Sequence, residues 1–225
     1  MALVENAFAS IVLTAQSFNP SIFTETWLGR NSILNVDSLE GTRVFSPEVV
    51  QFQTSEVRVL IIPSHMQVLF GIHGVSGDFE IQRRIPIRAV ELLPHIPYQA
   101  LGLNFDFYVI PPEGQDFLSY DRALLGTGDC QLLKEFSAVD ARFGRYFSKD
   151  YENARLKLDI KPVIKPEPVK GGISNRDLIQ FSFNFHHEVS GIDLPERWQR
   201  LKDYLGNWSS LKDYATRLLE LGAKP

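Results

Sequence analysis

Apolar and polar residues alternate with a period of two through much of this chain. Over 101–109 the odd positions are Leu101, Leu103, Phe105, Phe107 and Val109, with Gly102, Asn104, Asp106 and Tyr108 between them. Side chains change face at every residue of a strand, so the pattern predicts a strand with one buried and one wet face. The stretch 179–189 repeats it: Ile179, Phe181, Phe183 and Phe185 fall on one face, and Gln180, Ser182, Asn184, His186 and Glu188 on the other. Segments 44–54, 56–62 and 66–73 are rich in Val, Ile and Phe and are joined by Thr54-Ser55 and Pro63-Ser64, links short enough for hairpins. They predict an antiparallel meander. A further hairpin is predicted over 141–150 and 154–161, and a first strand over 7–16.

Helical spacing is rarer. Asn19-Pro20-Ser21 predicts a short helix reaching Gly29, with Asn19 as cap and Pro20 in the first turn, where its missing N–H is harmless. Pro86 opens a second over 86–93, while 78–85 fits either an alternating strand or the first half of a helix kinked at Pro86. Over 195–221, Trp198, Leu201, Leu205, Trp208, Leu211, Ala215, Leu218 and Leu219 recur at steps of three and four. That spacing predicts a long amphipathic helix, with a break near Gly206 or Ser209. The segment 161–177 holds Pro162, Pro166, Pro168, Gly171 and Gly172 and reads as a protruding loop.

The fold class expected is α+β: a predominantly antiparallel sheet of about eight strands, with the C-terminal helix packed on it, in a single compact domain 1–225. Asn104-Phe105 and Asn184-Phe185, each followed by a valine four residues after the phenylalanine, suggest two similar halves, 1–112 and 113–225.

Composition narrows the setting. With 225 residues, 44% of them hydrophobic, and a net charge of −4, the chain is long and apolar enough to bury a full core. Cys130 is its one cysteine, so an intrachain disulfide and a multi-cysteine zinc site are both excluded. Glu5 stands where a signal peptide carries basic residues, and no apolar run reaches membrane-spanning length. A cytoplasmic protein without membrane attachment is expected.

Candidate chemistry is sparse. If 101–109 and 179–189 are neighbours, Asp106, His186 and Glu188 share a wet face, a set suited to acid–base work or to a divalent metal. A solvated sheet face also carries polar residues at every second position without any such role, and no metal or cofactor is expected. His187 falls on the apolar face and is expected to be a core histidine bonded to a backbone carbonyl. His65, His73 and His95 lie in turns or at element ends. Gly71, Gly74 and Gly77 have neither dinucleotide nor P-loop spacing, and Gly74-Val75-Ser76-Gly77 is not a nucleophile elbow.

Charge is uneven. The stretch 142–170 holds eight basic residues, among them Arg142, Arg145, Lys157 and Lys165, against four acidic ones, with Phe143, Tyr146, Phe147 and Tyr151 interleaved. This suits a protein partner or, less well in an acidic protein, single-stranded nucleic acid. Trp198, Tyr204, Trp208 and Tyr214 give the last helix more aromatic surface than one buried stripe requires, as interface anchors do. The leading expectation is therefore a non-catalytic interaction or assembly module that binds a protein partner or its own copy. The alternatives are a ligand- or metal-binding enzyme at Asp106, His186 and Glu188, and a nucleic-acid binder using 142–170.

Overall fold

The computed structural model describes residues 3–71, 80–126, 138, 140–169 and 172–223; His73, Gly74, Gly77, Cys130 and Lys170 lie outside them. Nine strands, β1 (Leu3–Ala15), β2 (Glu40–Phe45), β3 (Val50–Gln53), β4 (Arg58–Ile62), β5 (His65–Phe70), β6 (Tyr98–Ile110), β7 (Arg145–Tyr151), β8 (Ala154–Val169) and β9 (Gly172–Glu188), form one sheet. Their order is β2-β3-β4-β5-β1-β6-β9-β8-β7, and every neighbouring pair is antiparallel. The α-helices among the described residues are α1 (Glu25–Arg30), α2 (Glu80–Leu92), α3 (Phe117–Leu125), α4 (Leu194–Gly206) and α5 (Trp208–Gly222). The α+β class expected from the alternation is what the chain adopts. Nine strands rather than about eight arise because 44–54 is two strands: Ser46 N donates to Val49 O, and Ser46 Oγ accepts from Val49 N, closing a hairpin around Pro47.

The order of elements recurs. A long strand (β1, then β6) is followed by a helical segment, a meander that returns to pair with that strand (β2 to β5, then β7 to β9), and a closing helical segment. The second passage begins at Tyr98 rather than at 113. Asn104 and Asn184, whose similarity suggested two halves, are cross-strand partners on adjacent β6 and β9 within that second passage. It also has one strand fewer. In the position that β2 takes outside β3, no strand flanks β7 among the described residues.

One face of the sheet is the core. Leu101, Leu103, Phe105, Phe107 and Val109 of β6 lie beside Phe181, Phe183 and Phe185 of β9, all sealed from water, and Phe105–Phe185 and Phe107–Phe183 meet edge to face. Over them lie α4 and α5. Trp208 packs 4.4 Å from the Phe105 ring and 5.3 Å from Phe70, so one indole ties β6 to β5. The expected long helix is two, parted at Asn207, whose N–H bonds the carbonyls of Asp203 and Tyr204. The ambiguous stretch before Pro86 is helical from Glu80, because Ile85, Ala89 and Val90 bury at helical spacing and Tyr98 OH reaches the Ala89 and Leu93 carbonyls at its end.

The expected loop at 161–177 is instead the outer part of the β8–β9 ribbon, paired in register from Lys161↔Gln180 to Val169↔Gly172. Its prolines explain why it pairs. Pro162, Pro166 and Pro168 share one parity, so their missing N–H groups all fall on the side away from β9, where among the described residues β8 has no strand partner beyond Ile160.

Trp208→Ala removes the indole that packs on both Phe105 and Phe70. It is expected to lower unfolding stability by about 3–5 kcal/mol, measured by urea titration.

Candidate functional site

The helix-free face of the sheet carries the polar half of each alternating strand. Across its middle runs a ladder in one register row: Asn184 Nδ2 donates to Asn104 Oδ1, and Asn104 Nδ2 donates to Ser10 Oγ at 3.1 Å. The next row holds Asp106, whose Oδ1 accepts from Gln180 Nε2 at 3.0 Å and from Ser182 Oγ. Burial pushes the Asp106 carboxyl above its usual range, against the lowering effect of those two donors and of Lys161. These polar groups are satisfied by one another and lock the register of β1, β6 and β9.

His186 and Glu188 do meet, Nε2 to Oε2 at 3.4 Å, at the end of the same face. Glu188 is held below the usual carboxylate range, chiefly by the Ser190 hydrogen bond. Asp106 does not join them. It pairs with Ser182, whereas His186 pairs with Gly102, two rows and about 13 Å further along the strand. His186 and Glu188 instead line an open hollow of about 570 Å³ with Thr14, His65 and Ser190. Among the described residues, no group of three His, Cys, Asp or Glu side chains is placed to hold a metal ion.

The aromatic residues of the C-terminal helices are mostly spent on the core. Tyr204 stacks on His187 at 3.9 Å, Tyr214 stacks on Tyr151 at 3.9 Å, and Trp208 packs at a tilt against Phe105, leaving all three buried; Trp198 is partly covered, with the Lys202 ammonium 4.5 Å from its ring. A single pair of helices covering so wide a sheet needs a broad apolar face, which accounts for the surplus seen in the sequence.

The basic stretch is divided between the two faces, and four of its eight basic residues are paired with carboxylates. Arg142 pairs with Asp177 (2.8 Å), Arg155 with Asp150 (3.0 Å), Lys161 with Asp159 (2.8 Å) and Lys165 with Glu5 (3.6 Å). Lys157 and Lys165 stand on the open face, while Arg145 turns to the helix side, where Nε donates to Leu125 O.

At that corner lies a feature the sequence reading did not assemble. Between α3, α5 and the β7–β8 hairpin runs an apolar groove of about 430 Å³, floored by Leu156, Leu158 and Ile160 and walled by Leu124, Leu125, Phe147, Leu218 and Leu221. Its walls are braced. Asp121 Oδ2 accepts from Phe143 N (3.0 Å), Tyr120 OH donates to Ala223 O (2.9 Å), and Arg145 clamps α3. At its mouth Phe147 is 49% exposed and Leu221 70%; Tyr146, on the other face of β7, is 61% exposed. The signal was Tyr146-Phe147: adjacent residues of a strand point to opposite faces, so two large aromatics in sequence place one on each side. Only the strand order reveals that, among the described residues, β7 is an edge with both rings exposed.

A scan of protein-family models and a search of curated proteins each find no match for this chain.

His187 is the core histidine expected. It is buried, and Nδ1 lies 3.2 Å from the Asn153 carbonyl, which can only accept, so the proton sits on Nδ1. Nε2 is buried without a hydrogen-bond partner among the described residues. Burial, with His186 beside it, brings the His187 pKa down to about 4. The unfolded chain binds this proton more readily, so stability is full above about pH 6.5 and falls as pH drops toward 4, by up to about 3 kcal/mol. Urea midpoints at pH 7 and pH 4.5 will show this loss, and His187→Phe will flatten the difference.

Proposed function

We propose that this chain is a non-catalytic interaction module that associates with another polypeptide through the outer edge of β7 and the apolar groove behind it. The observation that carries the reading is the contrast among the sheet's outer margins. An unpaired strand edge is a row of free donors and acceptors, and edges are normally shortened, bent or blocked. β2 is interrupted by a register shift between Glu40 and Val44 and by Gly41 at φ 62°. The outer length of β8 carries the three prolines. β7 pairs with β8 through seven unbroken rows, contains neither glycine nor proline, and has exposed aromatic residues on both faces and a braced greasy groove alongside. Added strands bind in this way: main-chain bonds supply affinity, and alternate side chains enter pockets.

A cytoplasmic setting fits a chain with one cysteine, and among the described residues no helix is long and apolar enough to cross a membrane. The other two readings draw less support. Asp106 stands two rows from His186 and three from Glu188, and four of the eight basic residues that a polyanion would seek are paired with carboxylates.

The test compares native extract passed over immobilised wild-type chain and over the double variant Phe147→Asp, Leu221→Asp. Both side chains are exposed, so the fold is expected to hold, which circular dichroism checks. Retention of associated polypeptide, this chain included, should fall at least about tenfold, since burying an unpaired carboxylate in an apolar contact costs more than 1.4 kcal/mol. Equal retention by both forms refutes the reading.

A further inference from the structure

Resting on that reading, we infer that the strand received by β7 is β7 of a second copy, paired antiparallel about a two-fold axis through Ser148. The residues of β7, Arg145 to Tyr151, are self-complementary in that register. Antiparallel pairing centred on Ser148 sets Arg145 against Tyr151, Tyr146 against Asp150, Phe147 against Lys149, and Ser148 against itself. No like charges meet. The side-chain faces agree as well. Arg145, Phe147 and Lys149 line the groove on the helix side, and Tyr151 stacks there on Tyr214, whereas Tyr146, Ser148 and Asp150 share the opposite face. Residues opposed in an antiparallel pair lie on the same side of the sheet, so each pairing above joins two residues of one face.

The chemistry of each pair is favourable. Lys149 already lies over the Tyr214 and Tyr151 rings, at 5.1 and 5.9 Å, and donates to Tyr214 OH; the partner's Phe147 would complete an aromatic surround. Arg145 meets the edge of the partner's Tyr151. Each copy brings one groove and one Leu221 to the same side of the joined sheet, so the exposed Phe147 and Leu221 of both are covered together. The contact is isologous and closes on itself, leaving no second open β7 edge to propagate. A head-to-tail contact of β7 with β2 of another copy would not close, and the register shift in β2 opposes it.

The position on the axis supplies the test. Ser148 is exposed, so charge there leaves the isolated chain intact. In the pair, S148K faces S148K and S148D faces S148D, while a mixture sets lysine against aspartate. Sedimentation velocity on the full chain at tens of micromolar should give a wild-type particle of twice 25.6 kDa, S148K and S148D each at about 25.6 kDa, and the doubled mass again for the equimolar mixture. A wild-type monomer overturns the inference, as does a dimer that survives both single substitutions, or a mixture that stays monomeric. The two failures separate cleanly. A monomeric wild type that still retains a foreign polypeptide through Phe147 and Leu221 leaves the interaction reading standing with a different partner. A monomer that retains nothing in a Phe147-dependent way removes both.

Discussion

The pairing of β6 with β9 is the constraint on which the rest of the molecule depends. Ten consecutive cross-strand pairs, from Ala100↔Glu188 to Val109↔Ile179, align two alternating patterns so that phenylalanines meet phenylalanines on one face and amides meet amides on the other. A shift of β9 by one residue would send Phe181, Phe183 and Phe185 into water and Ser182 and Asn184 under the helices, while β6 kept its faces. The two faces enforce the same register by different means. On the core side, edge-to-face rings and the Trp208 indole reward close packing. On the open side, the Ser10, Asn104 and Asn184 ladder and the two donors to Asp106 are satisfied only when the rows align.

From that register follows the placement of everything functional. Because the core face is sealed by helices, chemistry at the strand centres is confined to the open face. There the polar groups bond to each other rather than converge on a vacant point. An apolar groove lies instead at the β7 corner, where among the described residues the recurrent strand plan is one strand short. A sheet that ends in this way has both an uncapped row of backbone groups and an uncovered stretch of its greasy face, and the two open side by side.

How much of this was legible in the sequence depends on the range of the interaction that decides it. The strands 101–109 and 179–189 could be read because period-two alternation is local, and His187 could be placed in the core because it continues the parity of Phe181, Phe183 and Phe185. Asn19 as a cap was legible for the same reason: its side chain accepts from Ser21 N two residues on. The 161–177 ribbon was misread because proline content says that donors are missing but not which edge they are missing from, and only pairing with β9 settles that. That Asp106, His186 and Glu188 share a face is visible in sequence, whereas the rows that separate them are set by register and are not. How much aromatic surface the last helices bury is not legible from their spacing, because the width of the sheet beneath them depends on strands from along the whole chain.

The distribution of prolines makes the β7 edge informative rather than accidental. An unprotected edge is hazardous wherever it occurs, and this chain places prolines at 162, 166 and 168, along the outer side of β8 immediately past the point where β7 stops covering it. The outer edge of β8 is therefore blocked by prolines where β7 does not cover it, whereas the outer edge of β7 carries no proline. Random exposure would not respect that division. Residues inside β7 that usually discourage pairing, Arg145 and Lys149, are turned onto α3 and onto the Tyr214 and Tyr151 rings, so their charges lie off the line of backbone donors and acceptors. The guarded and the open lengths of one margin thus differ as they should if one is kept free for a strand and the other is kept from receiving it.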